Sequence, residues 1–211
     1  MSKRICYIVG AGEFYGFDTL PKEQDFVIAA DGGLRYLEAK NISANLVIGD
    51  FDSLEDVPIH PNVIKLDCEK DDTDTLSAIK EGIKAGYDTF YLYGGTGGRT
   101  EHTLANIQTL KKLSGQGKRG FLFGEDSIMT TITNAKVDFS AHDGGYISVF
   151  SLTDRSLGVN LKGLKYELNE ATLTNDFPVG VSNEFVGKQS SIAVKDGTLL
   201  IVFPKAYKED I

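Results

Sequence analysis

Thr89-Phe90-Tyr91-Leu92-Tyr93-Gly94-Gly95-Thr96-Gly97-Gly98-Arg99-Thr100-Glu101-His102-Thr103 is the stretch whose reading decides the fold. An aromatic-rich apolar run gives way to four glycines in five positions, and these lead into helical periodicity. A run that is apolar throughout suits a strand buried on both faces of a parallel sheet, because alternation arises only where one face meets water. From Thr103 to Leu113, the residues Leu104, Ile107 and Leu110 fall on one helical face. The local reading is strand, glycine loop, helix. Working outward, Ile5–Val9, Phe26–Ala30, Leu46–Ile48, Val63–Leu66 and Gly120–Phe123 read as further strands. Leu34–Lys40 reads as a short helix, and Asp74–Ala85 as a longer one with Leu76, Ile79 and Ile83 on one side. This alternation predicts a mostly parallel, Rossmann-like α/β domain over residues 1–130.

Beyond it the punctuation changes. Ile128–Ile132, Lys136–Phe139, Tyr146–Leu152, Ser191–Val194 and Leu199–Phe203 are short apolar runs. Turn signals separate them: Asn134-Ala135, His142-Asp143-Gly144-Gly145, Leu157-Gly158 and Lys195-Asp196-Gly197. The pattern predicts a small all-β sandwich over residues 131–211, one that packs on the first domain or on a second subunit because it is small for independent stability.

Composition narrows the function. A hydrophobic share of 41% with 10% aromatics fills a core and argues against disorder. A net charge of −8 argues against a general nucleic-acid binder, which needs a basic stripe for phosphates. Cys6 and Cys68 fit no metal-ligand spacing and read as free thiols of a reducing compartment. Lys3 and Arg4 precede an apolar run too short for a signal-peptide core, and no stretch approaches the length of a membrane span. A cytoplasmic protein without membrane contact is expected.

Carboxylates crowd two places. Gly49-Asp50-Phe51-Asp52-Ser53 follows an apolar run, and Glu69-Lys70-Asp71-Asp72-Thr73-Asp74 opens a helix. Two carboxylates ~4 Å apart repel by about 4 kcal/mol at an effective dielectric of 20, so a fold that gathered them would call for a cation. Asp50 and Asp52 stand at the C-terminal end of a parallel strand, the edge where open α/β sheets bind ligands. Magnesium takes oxygen ligands and is usually held by one or two carboxylates plus substrate phosphates. Acids also serve as turn and helix-start residues, the role expected of Asp72. The glycines of 94–98 let backbone N–H groups approach an anion, and Arg99 offers a bidentate grip on phosphate. Glu101 and His102 stand at the helix mouth, and Asp31-Gly32-Gly33 puts another acid after a strand. Gly10-Ala11-Gly12-Glu13-Phe14-Tyr15-Gly16 does not make a dinucleotide fingerprint, because its third glycine comes one place late and no apolar-periodic helix follows.

Together these segments resemble the thiamine pyrophosphokinase family. The resemblance is carried by Ala30-Asp31-Gly32-Gly33, Gly49 to Ser53, Glu69 to Asp74 and Gly97-Gly98-Arg99-Thr100-Glu101-His102-Thr103-Leu104-Ala105-Asn106. It continues through Gly163-Leu164-Lys165-Tyr166 and Ser182-Asn183-Glu184. It implies a homodimer with active sites between subunits, and transfer of the diphosphoryl group of ATP to thiamine with Mg2+, releasing AMP. Carried over by position, Asp50, Asp52 and Asp74 are the implied metal ligands, with Asp31 and Asp71 beside them. Asp31, Gly32, Gly97, Gly98, Arg99, Glu101 and Asn106 are the implied ATP and phosphate contacts, and Asp50, Asp52, Asp71, Asp74 and Arg99 the implied catalytic set. Tyr166, Ser182 and Asn183 are the implied thiamine contacts. Two positions depart from the family pattern: Glu101 stands where aspartate is common, and Tyr166 where some members carry tryptophan. Two other readings compete. A haloacid dehalogenase-type phosphohydrolase also has Asp-x-Asp after a strand, but here the motif follows the third strand and no later lysine and acidic-pair motifs stand at suitable positions. A non-catalytic nucleotide or thiamine sensor would have no need of the intact acid set.

Overall fold

The computed structural model describes residues 4–51, 59–69 and 71–210, which form two compact units. The first comprises residues up to Thr109 together with Gly120–Gly124. Its strands are β1 (Cys6–Val9), β2 (Phe26–Ala30), β3 (Leu46–Gly49), β4 (Val63–Lys65), β5 (Thr89–Tyr93) and β6 (Arg119–Phe123). They lie in the order β6-β5-β1-β2-β3-β4, with parallel pairing from β5 through β4. β1, β3 and β5 are buried from end to end, which is why their sequences carry no alternation. Helix α1 (Leu34–Glu38) follows a single 3-10 turn at Asp31–Gly33 and is shorter than expected.

Helix α2 (Asp74–Lys84) packs on β1, β2 and β3. Its buried side is Ser77, Ala78, Ile79 and Gly82, while Leu76 and Ile83 are half-buried. A side chain at Gly82 would meet the Cys6 sulfur and the Phe90 ring at 2.7 Å, so glycine sets how closely the helix lies on the sheet. Burial in that contact pushes the Cys6 thiol pKa well above the ordinary thiol value, leaving it inert.

Helix α3 (Thr100–Gly115) begins three residues before the expected start at Thr103 and takes in Thr100, Glu101 and His102. Its buried face is only partly the one expected, since Leu110 is buried and Ile107 half-buried but Leu104 is not. Leu104 is 57% exposed, whereas Asn106, Thr109, Leu110, Leu113 and Ser114 are buried. A partly polar buried face is stable because its groups are bonded: Asn106 donates to the Gly95 carbonyl at 2.7 Å and Thr109 to that of Ala105 at 2.9 Å.

The second unit comprises residues 110–119 and 125 onward. It contains β7 (Ser127–Thr133), β8 (Lys136–Phe139), β9 (Tyr146–Ser151), β10 (Arg155–Lys162), β11 (Leu168–Thr174), β12 (Asn183–Glu184), β13 (Ser190–Ala193) and β14 (Thr198–Pro204). One antiparallel set runs β12-β9-β14-β7 and another β11-β10-β13-β8. Phe139 of the second set meets Phe203 of the first with ring centroids 5.2 Å apart, so both contribute to the apolar core. The chain closes with a 3-10 segment, Lys205–Asp210, tied back onto the loop before β9. There Asp210 accepts from Ser140 N at 3.1 Å and pairs with His142 at 2.6 Å, and Tyr207 stacks on His142 at 3.6 Å.

Candidate active site

Chain order in the first unit reverses at β1: β2, β3 and β4 extend to one side, β5 and β6 to the other. The C-terminal ends of β1 and β5 flank this switch point, where an open parallel sheet leaves a crevice. A cleft of about 470 Å3 opens there, lined by Gly10, Gly12, Gly94, Gly95, Gly97 and Gly98 among others. The two glycine stretches are zipped together. Gly10 N donates to the Tyr93 carbonyl and Gly12 N to that of Gly94, both at 2.8 Å, and Glu13 N donates to that of Thr96 at 3.0 Å. A Cβ on Gly94 would stand 2.4 Å from the Gly10 carbonyl oxygen, and Gly94 itself has φ +61°, so no other residue fits.

Opposite the glycines the cleft is acidic. Asp31, Asp50, Asp72 and Asp74 line it, from the ends of β2 and β3 and the start of α2. Gly49 permits part of this gathering, because its missing side chain leaves the Asp31 backbone free to approach within 3.0 Å of where a Cβ would be. Asp31 (φ +49°) and Phe51 (φ +58°) hold left-handed conformations that cost an L-residue roughly 1–2 kcal/mol. Phe51 is 4% exposed, and burial of its ring holds the turn that carries Asp50. Strain of this kind is retained where a side chain must be aimed.

Among the expected acids, Asp50, Asp74 and Asp31 therefore share the cleft. Asp52 lies outside the described residues. Asp71 is exposed and does not line the cleft, whereas Asp72, expected only as a helix-start charge, does and is ion-paired with Lys80. The helix cap is Thr73, whose side chain accepts from Leu76 N at 3.2 Å. Among the described residues no three of His, Cys, Asp and Glu form a ready-made metal site. The carboxylates Asp31, Asp50, Asp72 and Asp74 supply oxygen donors from one side, which suits a magnesium ion arriving with substrate phosphates better than a closed cage.

The cation side is Arg99, the residue before α3 begins. Its guanidinium contacts the His102 ring and lies 3.6 Å from Glu101. Glu101 thus steadies Arg99 from outside the cleft, while His102 lines it. Gly97, Gly98 and Asn106 line it too, and Gly32 does not. The exposed face of Arg99 and the N-terminal end of α3 both favour an anion. The sequence reading left out Gly10–Gly12, Asp72, His102 and Cys68 as cleft residues; only position at strand and helix ends could have signalled them.

The remaining three residues sit together in the second unit. Asn183 is buried, and its amide clasps Tyr166: Oδ1 accepts from Tyr166 N at 2.9 Å and Nδ2 donates to Tyr166 O at 2.7 Å. Tyr166 is 59% exposed, and Lys165, paired with Glu184 at 2.7 Å, places its ammonium 5.5 Å from the ring. Ser182, at φ +56°, bonds through its N–H to Ser148 at 3.0 Å.

Residues 17–122 match the family model for the thiamin pyrophosphokinase catalytic domain, and residues 132–199 that for its vitamin B1 binding domain. The chain belongs to the thiamine pyrophosphokinase family. A thiamine pyrophosphokinase of Bacillus subtilis is 26% identical over 85% of this chain and 87% of its own. The crystal structure of thiamine pyrophosphokinase from Bacillus subtilis superposes with a TM-score of 0.82 at 24% identity, covering 96% of this chain and 99% of that one. The thiamin pyrophosphokinase family protein of Enterococcus faecalis gives 0.80 at 24% identity over 97% and 99%. Membership of the thiamine pyrophosphokinases makes the chain an enzyme, a diphosphotransferase, and favours that reading over a phosphohydrolase or a silent sensor.

Proposed function

We propose that this chain transfers the diphosphoryl group of ATP to the hydroxyl of thiamine, giving thiamine diphosphate and AMP. The observation that carries this reading is the cleft at the switch point, where carboxylates face two glycine loops and an arginine. Diphosphoryl transfer requires the hydroxyl in line with the β-phosphorus and compensation for the charge on departing AMP; it is positioning plus electrostatics. Arg99, the loop amides and the N-terminus of α3 hold the phosphates, and Asn106 fixes the second loop through Gly95. Asp50 and Asp74, with Asp31 beside them and Asp52 from outside the described residues, hold Mg2+. The ion neutralises phosphate charge when bound. Tyr166 offers a π face to the cationic ring of thiamine, and Asn183 holds Tyr166 in place.

On the same reading residues 1–130 are a Rossmann-like nucleotide domain and residues 131–211 a β-sandwich that takes thiamine. The parallel order around a switch point supports the first, and the two antiparallel sets sharing a core support the second. A homodimer is supported by apolar side chains left open on the second unit, with Phe177 68%, Val179 55% and Val181 46% exposed. Light scattering should then give twice the mass of one chain. Cys6 and Cys68 are both free, in keeping with the cytoplasm. No helix among the described residues is long and apolar enough to cross a membrane. Incubation with ATP, Mg2+ and thiamine should yield AMP and thiamine diphosphate one for one; formation of ADP in place of AMP would overturn the proposal.

A further inference from the structure

The Gly10–Gly16 stretch fails as a dinucleotide fingerprint, yet three of its residues line the cleft. Its donor side is fixed by the three backbone bonds to the end of β5 and the loop after it. Its acceptor side is fixed from α1. Arg35 donates to the Ala11 carbonyl at 3.3 Å, and Tyr36 donates through its hydroxyl to that of Gly12 at 2.8 Å. Arg35 also donates to the Tyr36 oxygen at 2.9 Å, and its guanidinium lies 4.7 Å from the Tyr36 ring. The ring stacks on Phe14 of the same loop at 4.9 Å.

We propose that Arg35 and Tyr36 are positioning residues for the polyphosphate of the bound nucleotide, which they serve by holding the carbonyls of Ala11 and Gly12 away from it. The inference rests on the ATP reading given above. A peptide loop that lines an anion pocket brings carbonyl oxygens with it, and each repels phosphate unless it is turned aside and neutralised. Ala11 and Gly12 line the cleft, but neither Arg35 nor Tyr36 does, so their donors draw those oxygens outward. The guanidinium polarises the phenol and strengthens its bond to Gly12. The loop cannot reseat itself by sliding, since a Cβ at Gly12 would meet the Gly94 and Thr96 carbonyl oxygens at 2.7 and 2.8 Å. Gly97 is hemmed in from the same side, its Cβ space being filled by Glu13 at 2.7 Å. Tyr36 thus acts on both glycine loops through one hydroxyl.

Tyr36→Phe tests this, because it removes the hydroxyl and keeps the stack on Phe14. Calorimetric titration with α,β-methylene-ATP and Mg2+ should show affinity about five- to tenfold weaker than wild type, the worth of one hydrogen bond. Thiamine affinity should change less than twofold, and the melting temperature by no more than two degrees. Arg35→Gln should weaken the analogue in the same direction. An unchanged analogue affinity in both variants overturns the inference while leaving the ATP reading intact. Equal weakening of analogue and thiamine also overturns it, by showing a general structural role. A wild-type protein that binds no analogue at all overturns both.

Discussion

At the scale of the residue, aim and space decide what each position does. Asp50 is aimed by a strained neighbour and a buried ring, and on the proposed function its carboxylate helps to hold Mg2+ against the substrate phosphates. Asp50→Asn should lower the rate of AMP formation by about 100-fold or more, comparable with losing one preorganised electrostatic contact. Its melting temperature should stay within a few degrees of wild type; a rate near normal would remove Asp50 from the metal shell. Gly94 and Gly98 separate space from conformation. Both have positive φ, but a Cβ on Gly94 strikes a backbone oxygen at 2.4 Å while one on Gly98 meets nothing within 4 Å. Gly98→Ala should cost only the left-handed penalty of about 1–2 kcal/mol. Gly94→Ala adds overpacking of about 1–3 kcal/mol to that. Urea denaturation of the pair measures the difference, and equal losses would show that the loops can part. Little of this was legible in the sequence. Asp71 and Asp72 look alike on paper, and only the path of the chain into α2 puts one in the cleft and leaves the other exposed.

Whole elements were easier to read where their environment is uniform. β1, β2 and β5 are buried parallel strands, and their apolar runs match the observed spans to within a residue. β10 and β11 escaped notice, since each breaks the pattern that betrays a strand. β10 carries Gly158 at φ +63° with register shifts around Val159, and β11 is an edge strand with Asn169 and Glu170 exposed. The early start of α3 was hidden for another reason. Thr100, Glu101 and His102 have no apolar periodicity, and the helix there faces solvent and cleft rather than core. At α2 the cap is a single residue. Thr73→Ala removes the bond to Leu76 N and should cost about 1 kcal/mol of stability, read as a lower urea midpoint at unchanged slope. The same change loosens the turn that carries Asp74, so activity should fall more than stability alone explains.

For the molecule as a whole, the two halves announced themselves through a change in punctuation, but the strand order that makes a cleft was not written in any local pattern. It depends on β1 lying between β2 and β5, a long-range fact that no window of sequence contains. The C-terminal segment is another such fact, and it ties stability to pH. Burial disfavours the charge on Asp210, but hydrogen bonds from His142 and Ser140 outweigh it and hold the carboxyl below its ordinary range. The unfolded chain therefore binds the proton more readily, so this contribution is full above the unfolded value of about 3.9 and is lost as pH falls through the lower folded value. Melting temperatures between pH 6 and pH 3 should drop less steeply in Asp210→Asn than in wild type; identical slopes would show that the tie is not titrating. One further consequence follows from the zipped loops. Gly10 and Gly94 each occupy the room in which the other's side chain would stand, so neither position is at liberty to drift alone. A library that randomises one loop should return glycine at its partner-facing position every time. The two stretches, more than eighty residues apart, are for heredity a single word.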